Sequence, residues 1–320
     1  MLPIETDVLL LSSLTDISTD RICYHLSAMN VCFLRLNREQ LPDLDLQIDP
    51  LRARLTCRYA DDVWHVGTKL RSVWWRQPTF LRNTPGRALR ADEQLDRSQW
   101  SAAMRGLMLF DEARWFNDPS ATYRAESKPY QLRAAYKLGF DVPETLVTND
   151  KAADVPRLLG KKMVIKSVDT VLLSEGSSQH FGYTVVADWS DCILADFRTI
   201  PVTCQTLLSP KLDLRVTVIG DRLWCSTVET KEGGIEGDWR LMPKTELFYK
   251  EYDLPAEVER RCRTLMRVLG LRYGAVDLAF SAGRYWFIEI NPTGEWGWLD
   301  RDGRGISEAI AAELALEVGP

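Results

Sequence analysis

The first third of the chain alternates short apolar runs with segments of mixed polarity. Residues 7–14, with the sequence DVLLLSSL, predict a buried first strand followed by a loop. A helix capped by Ser18 or Thr19 should come next. The predicted order is strand, helix, strand, strand and one or two helices, at residues 7–14, 19–29, 31–36, 72–76 and 87–110. This βαβ opening indicates a small α/β domain with a partly parallel sheet.

A cluster of Asn, Asp, Pro and Ser at residues 117–120 is the best candidate boundary, because these residue types interrupt regular structure. Beyond it the pattern predicts a helix at 128–138 that stops at Gly139, Asn149-Asp150 as the cap of the next helix, and a polar loop at 174–179. Further strands are predicted at 145–148, 163–166, 183–187, 201–208, 213–219, 223–230, 275–281 and 285–290, with helices at 256–269 and 306–316. Short strands with few long helices indicate an α+β fold for this part of the chain.

The composition is that of a globular protein with a slight excess of acidic residues. Forty Lys and Arg against 45 Asp and Glu leave a net charge of −5, which excludes a generally basic nucleic-acid-binding protein. The seven cysteines are scattered without a C-x-x-C pair, and this predicts reduced thiols in a cytoplasmic protein. The longest strongly apolar run, Val8 to Leu11, is far short of the roughly 20 residues that span a bilayer. No leader precedes that run, so neither a membrane span nor a signal peptide is expected.

Three oxygen-bearing side chains near the C-terminal end carry the strongest chemical signal. Asp277 lies inside an otherwise apolar strand, and Glu289 and Asn291 lie two residues apart on the next strand. Period two places Glu289 and Asn291 on one face, and a hairpin turn at Gly283 would return Asp277 beside them. Taken singly, Asp277 could be a buried residue bound to a backbone amide, and Glu289 a residue facing solvent. Together the three predict a Mg²⁺ site that substrate phosphates complete.

Four basic residues upstream suit a phosphate-bearing substrate. Lys166 ends an apolar strand before the Ser- and Gly-rich segment 167–180, whose backbone amides could close over phosphates. Lys128 opens a helix, where the amine and the helix N-terminus both favour an anion. Arg215 alternates with apolar strand residues, and Arg240 follows Asp238-Trp239. Each alone would be solvated surface, but the set predicts contact with a phosphoryl group or an acyl phosphate.

The sequence lacks the motifs of several common enzyme classes. It has no G-x-x-x-x-G-K-[ST] loop, no G-x-G-x-x-G dinucleotide fingerprint and no G-x-S-x-G elbow. The three histidines, His25, His65 and His180, are not spaced for zinc. Catalysis by a Cys-His pair is therefore not expected.

From about residue 119 to 316 the chain resembles the ATP-grasp ligases. The resemblance is carried by Lys128, Lys166, the segment 205–208, Asp213-x-Arg215, Asp277 and Glu289-x-Asn291, in that order. Within this superfamily the chain is most similar to the microviridin-type peptide ligases, also called graspetide synthetases, through VWWRQP at 73–78, DWR at 238–240 and EINPTGEWGW at 289–298. The resemblance implies an N-terminal α/β (pre-ATP-grasp) domain, a central ATP-grasp lid domain and a C-terminal catalytic domain, at residues 1–118, 119–203 and 204–320.

The resemblance also implies roles for single residues. Lys128 and Lys166 would hold the phosphates of ATP. The backbone at Gln205, Leu207 and Leu208 would meet the adenine edge, where members of the family usually carry Glu at the position of Thr206. The ribose would meet Asp213, the γ-phosphate and the acyl phosphate would face Arg215 and Arg240, and two Mg²⁺ ions would be held by Asp277, Glu289 and Asn291.

The implied reaction is acyl activation of a ribosomally made precursor peptide that has a leader and a core. An Asp or Glu side-chain carboxylate of the core attacks the γ-phosphate of ATP, and a Ser, Thr or Lys side chain then closes a macrolactone or a macrolactam. Residues 187–199 are the candidate segment for leader docking. The Trp74-Trp75 pair could contact substrate or pack at the domain junction. Related enzymes imply a homodimer.

Two other functions stay open on these residues. A ligase that adds a free amino acid to a peptide or protein, similar to glutathione synthetase or to the glutamate ligases of ribosomal proteins, would use the same ATP and metal residues. The other alternative is a non-catalytic ATP-binding module, against which the intact set of acidic and basic site residues argues. Ring closure loses a water whereas addition gains a residue, so the product mass separates the two ligases.

Overall fold

The structure is a computed structural model that describes residues 2–76, 89–150, 152–169, 172–175, 178–181, 184–194, 200–301 and 303–317. Its helices are α1 (Ile17–Ala28), α2 (Ala91–Gly106), α3 (Pro119–Glu126), α4 (Lys128–Lys137), α5 (Val155–Leu159), α6 (Trp189–Leu194), α7 (Ala256–Leu269) and α8 (Ile306–Ala315). The first strands are β1 (Ile4–Glu5), β2 (Val8–Ser12), β3 (Phe33–Asn37), β4 (Asp45–Asp49), β5 (Arg54–Tyr59), β6 (Asp62–Val66), β7 (Ser72–Trp75) and β8 (Arg114–Phe116). The later ones are β9 (Thr145–Thr148), β10 (Lys162–Ser167), β11 (Leu172–Glu175), β12 (Ser178–Phe181), β13 (Val185–Asp188), β14 (Val202–Thr206), β15 (Leu212–Ile219), β16 (Arg222–Val228), β17 (Tyr273–Ser281) and β18 (Arg284–Asn291).

The predicted βαβ unit, β2-α1-β3, forms one half of a parallel sheet with the strand order β3-β2-β7-β8. Strand β2 is buried along its whole length, as its uninterrupted apolar run predicts for a strand covered on both faces. The chain first adds β3 on one side of β2 and later adds β7 on the other. The α/β domain expected at the start of the chain is therefore present.

The structure adds a second N-terminal sheet that the sequence pattern did not predict, with the order β1-β6-β5-β4. Its strands β4, β5 and β6 pair antiparallel, and β1 joins β6 in parallel. Strand β4 has no fully buried residue, so its apolar signal is weak. Whether one face of a strand is buried depends on which element packs against it. A half-exposed strand rich in Asp therefore gives no local signal from which it could be predicted.

Two helix starts differ from the predicted caps. Helix α1 begins at Ile17 with Asp16 as its cap, because the Asp16 carboxylate accepts from the Thr19 amide at 3.2 Å and from the Thr19 hydroxyl at 2.8 Å. The prediction of Ser18 or Thr19 as the cap was therefore wrong. Asp150 does not cap a helix either: it accepts from the Ala152 amide at 2.9 Å in a local turn, and α5 begins only at Val155.

The later part of the chain forms two four-stranded sheets with antiparallel neighbours, in the orders β13-β10-β14-β9 and β16-β15-β17-β18. This arrangement confirms the α+β fold expected there. The segment 174–179 was predicted to be a loop, but Ser174 lies opposite Gln179 in the antiparallel pair β11–β12. Residues 176 and 177 lie outside the described part of the chain. A wholly polar segment has no apolar period from which a strand could be predicted.

The boundaries implied by the resemblance fall at different kinds of position. The division after residue 118 lies between β8 and α3, whereas the division after residue 203 lies inside strand β14. The segment 187–199, expected to dock a leader, includes α6, and its residues 195–199 are not among those described. We keep the three-domain division and the leader segment as predictions.

The Trp74-Trp75 pair is packed inside the molecule. Trp74 is completely buried, and its ring centroid lies 5.0 Å from that of Tyr273, in a cluster that also holds Trp296. Its indole N–H donates to the Thr19 hydroxyl at 3.3 Å. Trp75 is 4% exposed and packs in the neighbouring cluster under β5 and β6. The burial of both side chains favours packing inside the protein over contact with substrate.

Replacing Trp74 by alanine is expected to lower the free energy of unfolding by about 3–5 kcal/mol, since a large side chain is removed from a filled core. Chemical denaturation followed by fluorescence measures this loss. Tyr24→Ala is the matched control, because Tyr24 is 72% exposed and its removal should change stability by less than about 0.5 kcal/mol. A loss below about 1 kcal/mol for Trp74→Ala would contradict the packing and return the pair to a role at the substrate.

Five cysteines that the structure describes agree with the expectation of reduced thiols, because none of them forms a disulfide: Cys23, Cys32, Cys57, Cys225 and Cys262. Burial raises the pKa of Cys225 and of Cys262 to about 12, so both thiols stay protonated and unreactive at neutral pH. In the described ranges, no helix has the length and apolar character that crossing a membrane requires.

Candidate active site

A cleft between the two antiparallel sheets of the later part of the chain gathers most of the expected site residues. Those that line it are Lys166, Gln205, Leu207, Leu208, Asp213, Arg240, Asp277 and Glu289. Lys128 and Arg215 reach the same place through hydrogen bonds to Glu289 and Asp277. Strands β10 and β14 form one wall and strands β15, β17 and β18 the other, so the site is assembled from segments far apart in the sequence.

The β17–β18 hairpin brings the two carboxylates side by side. Ala282 and Gly283 form its turn with φ values of 51° and 73°, the left-handed conformations that a two-residue hairpin turn uses. In the register that follows, Asp277 pairs with Glu289, and Ala275 pairs with Asn291. Glu289 and Asn291 share a face because they are two residues apart on one strand. The hairpin predicted from the sequence is thus present, with Asp277 beside Glu289.

Arg215 lies next to this pair on the neighbouring strand. It stands opposite Asp277 in the β15–β17 register, and its Nη1 donates to both carboxylate oxygens of Asp277 at 2.9 Å. Burial raises the pKa of Asp277, although the Arg215 charge opposes the rise. Among the residues that the structure describes, the buried Nε–H of Arg215 has no acceptor. A guanidinium with an unused donor suits a further anion.

Lys128 and Lys166 surround Glu289 with positive charge. Lys128 is the first residue of α4, and its Nζ donates to Glu289 Oε2 at 2.8 Å. Lys166 is buried on β10, and its Nζ donates to Gln205 Oε1 at 3.2 Å. Burial alone would raise the pKa of Glu289, but the charges of Lys128, Lys166 and Arg240 outweigh it and lower the pKa to about 2. Glu289 is therefore ionised at neutral pH.

The same crowding acts on Lys166 in the opposite sense. Burial lowers the pKa of Lys166 to about 8, and the positive charges of Lys128 and Arg240 contribute in the same direction, while Glu289 opposes them. Four cations, which are Lys128, Lys166, Arg215 and Arg240, thus face three carboxylates, which are Glu289, Asp238 and Asp277. The excess positive charge of this cluster suits a polyphosphate.

Arg240 is held over the cleft by the residue two positions before it. Asp238 caps the short 3₁₀ turn Trp239–Leu241 and accepts from the Arg240 amide at 3.0 Å. Its two carboxylate oxygens also accept from Arg240 Nε and Nη2, each at 2.8 Å. The remaining terminal nitrogen, Nη1, lies 3.8 Å from Glu289 Oε1. This fork fixes the direction of the guanidinium.

The residues expected to meet a nucleoside line the same cleft. Gln205 Oε1 accepts from Lys166 Nζ at 3.2 Å, and Gln205 Nε2 donates to the Thr145 hydroxyl at 2.9 Å. Asp213 forms an ion pair with Lys211. Burial raises the pKa of Asp213 to about 6, with the Lys211 charge opposing. Thr206 lines the cleft beside Gln205.

Sequence reasoning missed two residues that support this site. Lys211 lies directly before β15 and donates to Asp213 Oδ2, and the spacing of two was the available signal. Gln131 is buried on α4, where its amide accepts from the Ile290 N–H at 2.6 Å and donates to the Ile290 carbonyl at 3.2 Å. Gln131 lies one helical turn from Lys128. Its hydrogen bonds to Ile290 hold α4 against β18, the strand that carries Glu289.

The oxygen donors of the site suit a hard cation. Within the described ranges no group of three or more His, Cys, Asp or Glu side chains could hold a metal ion. Two carboxylates on paired strands plus the Asn291 amide oxygen make a smaller protein donor set. A small set of this kind fits Mg²⁺, which keeps several ligands for water and for substrate phosphates.

Comparisons with solved structures identify the fold. A RiPP-associated ATP-grasp ligase from Chryseobacterium gregarium, solved with ADP and with a leader and core peptide, matches 99% of this chain and 99% of its own, with a TM-score of 0.82 and 24% identity. Macrocyclase MdnC from Microcystis aeruginosa MRC, bound with precursor peptide MdnA, matches 96% of this chain and 98% of its own, with a TM-score of 0.80 and 22% identity. Macrocyclase MdnB from the same source matches 98% of this chain and 100% of its own, with a TM-score of 0.74 and 26% identity.

Sequence comparisons add nothing to this. No protein-family model matches the chain, and no curated protein matches it. The structural matches run over nearly the whole length of both partners, including the N-terminal part where the sequence resemblance was loose. The chain therefore has the fold of the ATP-grasp ligases, in the form found in RiPP-associated ligases and macrocyclases, which confirms the fold and the resemblance expected from the sequence.

Proposed function

We propose that this chain is an ADP-forming peptide ligase that activates Asp or Glu side chains of a ribosomally made precursor peptide and closes ester or amide crosslinks within it. The observation that carries the proposal is the convergence of Lys128, Lys166, Arg215 and Arg240 on the paired carboxylates Asp277 and Glu289. The precursor, leader and core peptides seen with the structural neighbours support a peptide substrate.

ATP would lie in the cleft with its phosphates at the cationic end. Lys128 and Lys166 would contact these phosphates, and the ribose would lie near Asp213. Two Mg²⁺ ions would be held by Asp277, Glu289 and Asn291, and they would neutralise charge on the transferring phosphoryl group. Arg215 and Lys128 now donate to the carboxylate oxygens that would bind Mg²⁺. The two side chains would therefore turn toward phosphate when it binds.

The residues of the chain contribute position and charge to two displacement steps. A carboxylate oxygen of the substrate attacks the γ-phosphorus, and the bond to the β,γ-bridging oxygen breaks. ADP leaves, and the substrate carries an acyl phosphate, which is a mixed anhydride. A hydroxyl or amine of the same peptide then attacks the acyl carbon, loses its proton and displaces inorganic phosphate. Arg240 and the unused donor of Arg215 would stabilise negative charge on the transferring group. No covalent bond to the protein is formed.

The proposal also covers the oligomeric state of the enzyme, its cellular location and its domains. It would act as a homodimer in the cytoplasm, where the buried, protonated thiols stay reduced. The segment 187–199 would dock the leader, and the chain would divide into domains at 1–118, 119–203 and 204–320. Size-exclusion chromatography with light scattering tests the dimer.

The product mass tests the reaction. The precursor peptide encoded beside the gene is co-expressed with the enzyme, and its intact mass is measured. Loss of one or more waters, absent when Glu289→Gln replaces the wild type, is the expected result. A gain of amino-acid mass would instead assign the ligase that adds a free amino acid. An unchanged mass with ATP still bound would point to a binding module.

A further inference from the structure

Arg76 joins the N-terminal parallel sheet to the loop that follows the last strand of the active site. It stands directly after β7, and its side chain is only 8% exposed. Nη1 donates to the Thr293 carbonyl at 2.5 Å and to the Gly294 carbonyl at 3.1 Å, and Nη2 donates to Glu295 Oε2 at 3.1 Å. Nε donates to Asp16 Oδ2 at 3.1 Å. All three guanidinium nitrogens therefore donate within the protein: Nε binds Asp16, and the two terminal nitrogens bind the loop.

The start of helix α1 binds the same loop. The Ser18 hydroxyl donates to Glu295 Oε1, which also accepts from the amides of Trp296 at 3.1 Å and Gly297 at 2.8 Å. Open α/β sheets commonly bind ligands at the carboxyl ends of their strands, where the strand order reverses. Strands β2 and β7 form that position here, and loop 293–297 of the chain itself lies there.

On its other side the loop touches Arg215. The Glu295 carbonyl accepts from Arg215 Nη2 at 3.2 Å, and the Tyr273 hydroxyl donates to the Gly294 carbonyl. The fit leaves no room, because a Cβ added at Gly294 would lie 2.5 Å from the Ala275 Cβ and 2.8 Å from Arg215 Nη2. A displacement of the loop therefore changes the hydrogen bond and the packing that hold Arg215 Nη2.

We infer that Arg76 is a positioning residue for the active site: by holding loop 293–297 against the N-terminal sheet, it sets the direction in which Arg215 presents its guanidinium to the reacting phosphoryl group. The inference rests on the proposed function. Arg76 acts through Arg215 and reaches no substrate atom itself. Without the loop contact, Arg215 keeps its hydrogen bonds to Asp277 but loses the acceptor that fixes the second terminal nitrogen.

Two variants test the coupling from opposite sides. Arg76→Lys keeps the charge but cannot reach four acceptors at once. Gly294→Ala leaves Arg76 intact and pushes the loop against Arg215. Arg52→Lys is the matched control, because Arg52 Nη1 binds Asp49 Oδ2 at 2.7 Å on the exposed turn between β4 and β5, outside loop 293–297.

The steady-state rate of ADP formation with the precursor peptide is measured for each variant, together with its thermal midpoint. We expect kcat to fall about tenfold or more in Arg76→Lys and Gly294→Ala, within the ~10² range that a misplacement of about 1 Å can cost. The KM for ATP should stay within about twofold, since Lys128 and Lys166 are unmoved. Arg52→Lys should keep the wild-type kcat.

The side-chain Nε–Hε resonance of Arg215, assigned by its loss in Arg215→Lys, is the second readout. It should shift in Arg76→Lys and Gly294→Ala and stay in place in Arg52→Lys. A folded Arg76→Lys with an unshifted resonance and wild-type kcat would overturn the inference, as would an equal loss of kcat in Arg52→Lys. If Arg76→Lys does not fold, Glu295→Gln takes its place, because it weakens the Arg76 contact at Glu295 Oε2 and leaves Arg76 and Arg215 intact. A wild type that forms no ADP with any peptide defeats the proposed function, and the resonance still tests whether Arg76 orients Arg215.

Discussion

Glu289→Gln is expected to abolish ADP formation, with a loss of at least about 10³-fold, or about 4 kcal/mol of transition-state stabilisation. The carboxylate accepts from Lys128 at 2.8 Å, lies 3.8 Å from Arg240 and is ionised at neutral pH. Glutamine keeps the shape but removes the negative charge that these cations and a Mg²⁺ ion need. A coupled assay of ADP release in the presence of precursor peptide measures the loss.

The control for this change is Glu259→Gln, because Glu259 pairs with Arg263 at 3.0 Å on helix α7. It should leave turnover unchanged. Normal turnover in Glu289→Gln would remove Glu289 from the metal site. Circular dichroism should show the same fold for both variants, since β18 keeps its pairing with β17 through the backbone.

The lowered pKa of Glu289 adds a pH signature to the same pair of proteins. A carboxyl group whose pKa is lower in the folded than in the unfolded state stabilises the fold above its unfolded pKa of 4.5 and loses that contribution as the pH falls toward about 2. The wild type should therefore be more stable than Glu289→Gln at neutral pH. The difference should shrink on acidification below pH 4.5, as urea unfolding at each pH would show.

Arg240→Ala is expected to lower turnover ~10²-fold or more, which is the cost typical of removing one preorganised charge partner. Asp238 holds the guanidinium through two bonds of 2.8 Å, so its direction is set before substrate binds. Arg240→Lys should recover only part of the loss, because an ammonium cannot form the fork with Asp238. Single-turnover measurements of phosphate release compare the three proteins.

Arg260→Ala serves as the control, since Arg260 pairs only with Glu257 on the exposed side of α7 in the described structure. Its turnover should match the wild type. A loss of less than about threefold in Arg240→Ala would show that Arg240 is a surface residue, because a group that stabilises the transition state costs more when removed.

The sequence predicted those parts of the site that depend on local periodicity. Period two on β18 placed Glu289 and Asn291 on one face, and the turn at Gly283 returned Asp277 beside them. Helices α4 and α7 began where the pattern placed them. These features follow from alternation and turn chemistry within a few residues, and the chain carries both directly.

Partners across the chain could not be predicted in the same way. Lys128 meets Glu289 from 161 positions away, and Arg76 meets Thr293 from 217 positions away. Periodicity states which face of an element is polar, but not which distant element covers it. The half-exposed sheet β1-β6-β5-β4 escaped prediction for the same reason.

The sequence by itself therefore predicted the residue types expected at a nucleotide and metal site, the opening βαβ unit, helices α4 and α7, and the resemblance to the ATP-grasp ligases. Only the tertiary structure decided how these residues are oriented. Asp238 aims Arg240 over the cleft, Gln131 ties α4 to β18, and loop 293–297 lies between Arg76 and Arg215. Orientation depends on buried hydrogen bonds whose donors and acceptors come together only after the chain has packed.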